Sequence, residues 1–195
     1  MTRQQVMKKA RLSFDRVKSP IGAILVACDG GTLCALEFAD AEDRMLAGLK
    51  ARYGEFQRVA ASDPGGVCAR LGDYLLGELD ALDEVVVDGG GTAFQRKVWT
   101  ELRKIEPGQA LSYGALARRL GMPNSVRAVA RANALNPISI VVPCHRVIGS
   151  DGSLTGYGGG LPRKRWLLEH EGVVLRSAGA PLSRDRRYRA PSPRP

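Results

Sequence analysis

The most informative part of the chain is residues 112–147, which read SYGALARRLGMPNSVRAVARANALNPISIVVPCHRV. Helical spacing predicts a short helix over Ser112–Leu120, closed by Gly121, and a second helix over Ser125–Leu135. Two short helices split by a glycine-containing turn are typical of a helix-turn-helix, whose second helix meets DNA. Paired helices also occur in many all-α cores, so this pattern alone leaves both interpretations open.

The run Ile138–Pro143 follows directly and is apolar, β-branched and bounded by prolines. This composition predicts a buried, extended segment. It ends on Cys144 and His145. A thiol becomes a nucleophile as the thiolate, which needs a nearby base or positive field, and His145 is the obvious base.

Neighbouring side chains on an extended segment point to opposite faces, so a direct contact between Cys144 and His145 is awkward. Either a water bridges the thiol and the imidazole, or the backbone turns sharply here. Glu169 and Glu171 are the carboxylates near enough in sequence to orient the imidazole, as in other nucleophile-base-acid relays. The alternative is that Cys144 is one more buried small hydrophobe, as most free cysteines are.

Toward the N-terminus the pattern changes to a small α/β unit. Two β-like runs joined by a glycine-rich turn predict a hairpin, and helices and a buried strand follow. The predicted parts are strands Ile21–Cys28 and Leu33–Phe38, a helix from an Asp40 N-cap to Gly54, a helix over Val67–Leu75 and a strand at Val85–Val87. The glycines after Asp88 indicate a hinge or linker.

Beyond this linker, Thr92 and Gln95 form a capping box that starts a helix, and a last helix begins near Pro162 and stops at Gly172. These boundaries predict an α/β domain over 1–88, a mainly helical domain over 89–175 and a disordered basic tail over 176–195.

Charge divides the 195-residue chain in the same way. The net charge is −3 over residues 1–88, +7 over 89–175 and +5 over 176–195, for a total of +9. A basic C-terminal half beside a nearly neutral N-terminal one is what a polyanion-binding protein would show, although a merely soluble basic surface looks the same.

Composition also excludes several classes of protein. Four irregularly spaced cysteines do not predict a disulfide framework, and the presence of only two histidines argues against a multi-histidine catalytic metal site. We therefore expect neither a metal nor a cofactor. No apolar run approaches the ~18 residues that a membrane helix needs. The start of the chain is polar and lacks the apolar stretch of a signal peptide. We therefore expect a soluble, cytoplasmic protein without membrane contact.

The residues around Cys144 also carry a resemblance. Pro143-Cys144-His145-Arg146-Val147 resembles the active-site signature of the O6-alkylguanine-DNA alkyltransferases, also called methylated-DNA–protein-cysteine methyltransferases. Further matches follow in the family's order and approximate spacing over nearly all of residues 92–172. They are Phe94-Gln95, Val98-Trp99, Ser112-Tyr113-Gly114, Leu116-Ala117, Arg127-Ala128-Val129, Asn136-Pro137, Gly156-Tyr157, Gly159-Gly160, Lys164, Leu167-Leu168 and Glu171. Ser19-Pro20-Ile21-Gly22 and Leu36-Glu37-Phe38 resemble the family's N-terminal domain.

The resemblance implies a two-domain α/β fold. A small ribonuclease H-like α/β domain would precede a mainly helical, winged-helix-like domain that carries the helix-turn-helix. It also implies DNA repair by direct reversal. Cys144 would take the alkyl group from O6-alkylguanine, with O4-alkylthymine as a second substrate, in double-stranded DNA, once and irreversibly. The protein would be a monomer in solution that is able to assemble cooperatively on DNA.

Residue roles follow from the same resemblance. His145 would take the thiol proton through water, Glu171 would hold the imidazole, and Tyr113 would stabilise the departing guanine. Asn136 would pin the active-site segment by backbone hydrogen bonds. The pocket for the flipped base would be formed by Pro143, Val147, Tyr157 and Gly158.

DNA contacts are implied on the second helix, which would enter the minor groove with Arg127 replacing the flipped base. Small side chains would permit close approach there, namely Ala128, Ala130, Ala132 and Ala134. The complete set of implied DNA-binding residues is Ser112, Arg127, Ala128, Arg131, Tyr157, Gly158 and Gly159.

Three departures from the family pattern are visible. Ala130 replaces a frequent glycine, Gly158 stands where some relatives carry serine, and no histidine precedes His145, so the zinc of some relatives is not carried over. Two other classes remain open at this point. A lesion-sensing DNA-binding module would bind alkylated DNA and leave Cys144 unmodified, and a thiol hydrolase would turn over without DNA.

Overall fold

The computed structural model describes residues 9–175, and the predicted tail over 176–195 lies outside the described residues. The N-terminal half contains four strands and two helices, namely β1 (Ala10–Val17), β2 (Ile24–Asp29), β3 (Thr32–Phe38), α1 (Glu42–Tyr53), β4 (Phe56–Ala60) and α2 (Val67–Leu76). The C-terminal half contains α3 (Ala93–Leu102), β5 (Leu111–Ser112), α4 (Tyr113–Arg119), α5 (Val126–Ala134), β6 (Val147–Ile148) and α6 (Leu161–His170).

The N-terminal strands form one sheet in the order β3-β2-β1-β4, antiparallel except for the β1–β4 pair. The predicted hairpin is confirmed, and Gly30 and Gly31 take the positive φ values of 53° and 88° that its tight turn requires. Strands β1 and β4 were not predicted. Their apolar pattern is thin, because Leu12 is the one fully buried residue of β1 and β4 has none.

Alternating side chains of β2 build two cores. Leu25 and Ala27 pack with Met45 and Leu49 of α1 on one face of the sheet. Ile24, Val26 and Cys28 face the other way. There they join α2 and the buried residues of the C-terminal helices in one continuous core, for example Leu71, Val98, Leu102, Leu116 and Leu167. The two halves therefore share a core.

Of the two N-caps predicted for α1 and α3, that of α3 is confirmed and that of α1 is not. The Thr92–Gln95 capping box is confirmed, with Gln95 N–H donating to Thr92 Oγ1 at 3.2 Å and Thr92 N–H to Gln95 Oε1 at 2.7 Å. The predicted Asp40 N-cap is wrong: α1 begins at Glu42 without a side-chain cap. Asp40 lies in a preceding 3-10 turn, where its carboxylate binds Arg163 instead.

Segments from further along the chain form hydrogen bonds with the outer edge of β3. Leu33 N–H donates to Val86 O at 3.0 Å, and Asp88 N–H donates to Leu33 O at 2.9 Å. The predicted strand at Val85–Val87 is wrong, since Val87 forms only an isolated bridge and Val86 is 67% exposed. Val87 is the only residue of this segment that pairs with β3, so the segment is too short to form a strand.

The segment Ile138–Pro143 is buried as predicted, but it is not extended. Ile138 forms one bridge with Leu36 of β3, and the chain then turns, with Ile140 at a φ of 69°. Asn136 explains the turn, because its Nδ2 donates to Ile138 O at 3.2 Å and to Val142 O at 2.8 Å. The side chain thus binds carbonyls that a neighbouring strand would otherwise bind.

The glycine linker is packed against both halves. Arg52 forms an ion pair with Asp88 at 2.6 Å. A Cβ on Gly91 would lie 2.6 Å from the Trp99 ring, so this close approach requires glycine. Across residues 9–175, no helix is both long enough and apolar enough to span a membrane.

Candidate active site

Cys144 begins a single 3-10 turn, Cys144–Arg146, directly after the buried segment. Its side chain is largely buried, and the residue is 6% exposed. It lies in the wall of a cavity of about 520 Å³ between the two halves. The wall near Cys144 also includes Asn133, Asn136, Ser139, Gly156 and Gly158. The Cys144 thiol thus lies in the wall of a cavity that both halves of the chain line.

The environment of the Cys144 thiol opposes its ionisation. Burial raises the pKa of Cys144, and the Asn136 amide and the positive charge of Lys164 only partly offset this effect. At neutral pH the group is therefore a thiol, and its reaction as a nucleophile requires a base.

His145 is positioned as such a base. Its Nε2 donates to Glu171 Oε1 at 2.9 Å, and both side chains are fully buried. This bond assigns the proton to Nε2. Nδ1 is buried and has no hydrogen-bond partner among the described protein atoms. The backbone turns sharply at Cys144–Arg146, and no described hydrogen bond joins the thiol directly to the imidazole.

Glu171 is the carboxylate of the pair, while Glu169 faces the surface and lies 3.6 Å from Arg165. Arg146 donates from Nε to Glu171 Oε2 at 2.9 Å and from Nη2 to Oε1 at 2.8 Å. Burial disfavours the charged carboxylate, but His145 and Arg146 outweigh it and lower the pKa of Glu171 to about 2. Burial lowers the pKa of His145 despite Glu171. A neutral imidazole therefore faces an ionised carboxylate at neutral pH.

Lys164 is a buried cation that the sequence analysis included only as part of the family match. Its Nζ donates to Thr155 O at 2.7 Å and to Val147 O. Burial lowers the pKa of Lys164 to about 8, although Cys144 acts in the opposite direction. Lys164 precedes Leu167 and Leu168 by three and four residues, so helical spacing places all three on one buried face. This spacing is the sequence signal that could have indicated that Lys164 is buried.

The other predicted catalytic residues lie around the thiol. The Tyr113 hydroxyl donates to Gly156 O at 3.4 Å and Thr155 O at 3.5 Å, and burial raises the pKa of Tyr113. Asn136 accepts from Ile138 N–H at 3.0 Å in addition to its two donated bonds. It therefore holds the backbone that leads to Cys144.

The predicted base-pocket residues are only partly assembled around this cavity. Pro143 and Val147 are buried on either side of the 3-10 turn, and Val147 pairs with Leu111 across the small β5–β6 sheet. Gly158 lines the cavity, whereas Tyr157 packs edge-on against His145, with 6.4 Å between ring centroids. Within residues 9–175, no group of three His, Cys, Asp or Glu side chains is placed to hold a metal ion.

The glycine-rich loop Tyr157–Gly160 is held by the N-terminal half. Arg44 Nη2 donates to Gly158 O at 3.2 Å and to Glu37 Oε2 at 2.6 Å. Arg163 Nη1 donates to Gly159 O at 3.1 Å, and its guanidinium lies 4.2 Å above the Phe38 ring. The sequence analysis assigned no role to these arginines, because the contacts of Arg44 with Gly158 O and of Arg163 with Asp40 join residues more than a hundred positions apart.

Helix α5 presents one face to solvent and one to the core. Arg127, Ala128, Arg131 and Ala134 are exposed, and Val129 and Ala132 are buried. The expectation that Ala132 faces DNA is therefore wrong, because its position on the helix turns it inward. Neither arginine has an ion-pair partner in the described part of the chain. Ser112 caps α4, accepting from Ala115 N–H at 3.1 Å.

Comparison with known proteins extends over both halves. Residues 14–88 match the family model described as "6-O-methylguanine DNA methyltransferase, ribonuclease-like domain". Residues 93–173 match the model described as "6-O-methylguanine DNA methyltransferase, DNA binding domain". The methylated-DNA–protein-cysteine methyltransferase of Salmonella typhimurium is 49% identical over 168 residues, covering 85% of this chain and 98% of the relative.

Solved structures give the same result. The crystal structure of Mycobacterium tuberculosis OGT in complex with DNA is 40% identical with a TM-score of 0.69, covering 82% of this chain and 92% of that one. The O6-methylguanine-DNA methyltransferase from Pyrococcus kodakaraensis is 30% identical with a TM-score of 0.68, covering 83% and 99%. The predicted two-domain architecture is confirmed. The chain belongs to the methylated-DNA–protein-cysteine methyltransferase family, with an N-terminal ribonuclease-like domain and a C-terminal DNA-binding domain.

Proposed function

We propose that this protein repairs DNA by direct reversal, by transferring the alkyl group of O6-alkylguanine to Cys144. The Sγ–carbon bond forms as the carbon–O6 bond breaks, and the proton lost by the thiol is balanced by one gained by the departing guanine. The product is a stable thioether, so each molecule acts once. O4-alkylthymine is a second candidate substrate, because it offers the same alkyl–oxygen bond.

One observation carries this proposal. The Cys144 thiol, whose pKa burial raises, lies in a cavity wall beside an imidazole whose Nε2 is bound to Glu171 and whose Nδ1 is free to accept a proton. An adjacent base oriented by a carboxylate is the arrangement that activates nucleophiles in other enzymes. His145 takes the thiol proton through a water, and Glu171 stabilises the resulting imidazolium.

The substrate base enters this cavity after flipping out of the duplex. A base inside the stack cannot reach a buried thiol, and flipping costs roughly a few kcal/mol, less for a damaged base. Tyr113 donates to the departing guanine, and Asn136 holds the Cys144 segment in place. Pro143, Val147, Tyr157 and Gly158 surround the base. The Tyr113 hydroxyl, which reaches the loop at Gly156, supports this arrangement.

Helices α4 and α5 form the DNA interface as a helix-turn-helix. The supporting observations are the exposed face of α5 and a net charge of +7 over residues 89–175. Arg127 fills the space of the flipped base, Ala128 permits close approach, and Ser112, Arg131 and Gly159 contact the backbone. Binding of this kind reads no sequence, which suits the repair of lesions at any position.

We propose domain boundaries at 1–88 and 89–175, with 176–195 as a basic tail. The protein acts in the cytoplasm, and it is a monomer in solution that is able to assemble cooperatively on DNA. It needs no cofactor, since the thiol, the imidazole and the carboxylate supply all the groups that the transfer requires.

The test is the intact mass of the protein after mixing with excess duplex containing O6-methylguanine. The expected result is a gain of one methyl in place of one hydrogen, mapped to Cys144 by peptide analysis. Cys144→Ser should show no gain. Cys34→Ser, which removes a buried thiol of the N-terminal sheet, is the matched control and should still be methylated.

Two other results would contradict the proposal. An unchanged mass with the DNA bound would favour a lesion-sensing module. Repeated turnover with a small thioester substrate and without DNA would favour a thiol hydrolase.

A further inference from the structure

The side chain of Tyr74, which belongs to the N-terminal domain, contacts the proposed relay of Cys144, His145 and Glu171. Tyr74 lies on α2 and is fully buried, and its hydroxyl donates to Glu171 Oε1 at 2.7 Å. The two residues are 97 positions apart in the chain. A hydroxyl from one domain thus binds the carboxylate that orients the imidazole of the other.

Glu171 Oε1 is a shared acceptor. It receives the Tyr74 hydroxyl at 2.7 Å, Arg146 Nη2 at 2.8 Å and His145 Nε2 at 2.9 Å. Oε2 is held by Arg146 alone among the described donors. Each donor withdraws negative charge from the oxygen, so Tyr74 and Arg146 set how strongly Glu171 attracts a proton on His145.

Tyr74 is itself held in place, which makes its hydroxyl a directed donor. His170 Nε2 lies 2.7 Å from Tyr74 O, and the two rings pack edge to face with centroids 5.2 Å apart. Trp166 stacks on His170 at 4.7 Å. The ring of Tyr74 is therefore fixed against α6, and its hydroxyl has little freedom to leave Glu171.

We propose that Tyr74 is a positioning residue for alkyl transfer, acting through Glu171 to keep His145 neutral and oriented. This inference rests on the proposed function. It also gives the N-terminal domain a part in activating the thiol, in addition to its part in the shared core.

The charged and titratable groups around His145 determine the direction of the effect. They are Glu171, which favours the imidazolium, Arg146 and Lys164, which disfavour it, and the rings of Tyr74 and Tyr157, which are neutral. Without the Tyr74 hydroxyl, more negative charge remains on Oε1 and the imidazolium is stabilised. His145 then becomes protonated at a higher pH, and the protonated ring cannot accept the thiol proton.

The test is the single-turnover rate of Cys144 methylation by duplex O6-methylguanine as a function of pH. In Tyr74→Phe, the acid limb of the rate profile should move up by about half a pH unit or more. At a fixed pH on the acid limb the rate should fall by about threefold to tenfold, and the rate near pH 8.5 should change by less than about twofold.

Tyr53→Phe is the matched control. The Tyr53 hydroxyl is also buried, has no partner in the described structure and lies on α1, away from Glu171. Its removal should leave the pH profile unchanged. A Tyr74→Phe profile that coincides with wild type would overturn the inference.

A double-mutant comparison separates action through Glu171 from a general structural effect. Because Tyr74 acts only through the carboxylate, Tyr74→Phe should not alter the rate in a Glu171→Gln background. An equal effect in both backgrounds would show that the role is merely structural and would overturn the inference.

If Tyr74→Phe does not fold, 3-fluorotyrosine incorporated at position 74 provides a second test. The fluorine makes the hydroxyl a stronger donor, so the acid limb should move to lower pH, and an unmoved limb would contradict the inference. Wild-type protein in the same assay separates the two hypotheses. Unmodified Cys144 in wild type would refute the proposed function, whereas methylated wild type with an unmoved variant profile would refute only the role of Tyr74.

Discussion

The two sides of Cys144 are built in different ways. On the relay side, Glu171 accepts four hydrogen bonds from three residues, and the side chains of Glu171 and His145 are 0% exposed. On the loop side, residues 156–160 are mostly glycine. The arginines that hold them, Arg44 and Arg163, are 54% and 23% exposed.

This difference has energetic consequences. A buried charge that loses its partner is not solvated by water. Substitutions around Glu171 and His145 should therefore lower stability as well as activity. The loop is held by close packing and by hydrogen bonds from two arginines whose side chains are partly exposed to water and salt. Substitutions there should therefore change the shape of the loop at a small cost in stability.

The largest effect is expected on the relay side, from Arg146→Met. This change leaves Glu171 buried without its arginine, and the free energy of unfolding should fall by about 3–5 kcal/mol. Urea unfolding at pH 8 measures it. The control is Arg58→Met, whose ion pair with Glu42 is half exposed and which should cost less than about 1 kcal/mol. Equal costs for the two variants would contradict the comparison.

The pH dependence of stability should show the second largest effect. The pKa of Glu171 is lowered from 4.5 to about 2 in the folded protein. Its stabilising contribution is therefore complete above the unfolded-state value and is lost as the pH falls toward 2. The contribution is on the order of 3 kcal/mol. Unfolding measured from pH 6 down to pH 3 should show a steeper loss in wild type than in Glu171→Gln, and parallel curves would refute this assignment.

Gly159→Ala tests the packing of the loop. A Cβ here would lie 2.5 Å from Cε2 of Phe38, so the loop or the ring must shift. The expected cost is about 1–3 kcal/mol, with slower methyl transfer because the loop moves at the cavity. Gly48→Ala on α1 is the control, because its Cβ would meet nothing within 4 Å. It should gain up to about 1 kcal/mol from helix propensity. Both values come from thermal unfolding.

Asp40→Asn should give the smallest effect. The Asp40 side chain is 63% exposed and pairs with Arg163 at 2.9 Å. Its loss should cost less than about 1 kcal/mol, and the difference from wild type should disappear in about 1 M salt. The cost of Arg146→Met should persist in the same salt. If salt removed both costs, the relay would not be the desolvated site described here.

Much of the fold could be predicted from local patterns. The hairpin, the Thr92–Gln95 capping box and the helices around Cys144 follow from glycine placement, cap residues and helical spacing, which act within a few residues. β1 and β4 were missed because their apolar pattern is thin, with Leu12 as the one fully buried residue of the two strands. The turn after Ile138 was missed because Asn136, rather than a neighbouring strand, binds the carbonyls.

The candidate site divides in the same way. A candidate nucleophile, a candidate base and two candidate carboxylates were recognisable from residue type and order around Cys144 and His145. Residue type and order left Glu169 and Glu171 both open, and the family resemblance favoured Glu171. In the structure both lie near the end of α6, and Glu171 is the one that contacts His145. Tyr74, Arg44 and Arg163 carry no local signal, because tyrosine on a helix and arginine on a surface are common.

The order of residues along the chain was enough to recognise the family and to predict a nucleophile and its base, because these depend on short motifs with specific spacing. Folding alone brings Tyr74 of α2 and Glu171 after α6 within 2.7 Å, and Arg44 of α1 within 3.2 Å of Gly158 O. Such contacts join residues about a hundred positions apart, and the packing of the shared core, which no local pattern specifies, determines which of them meet.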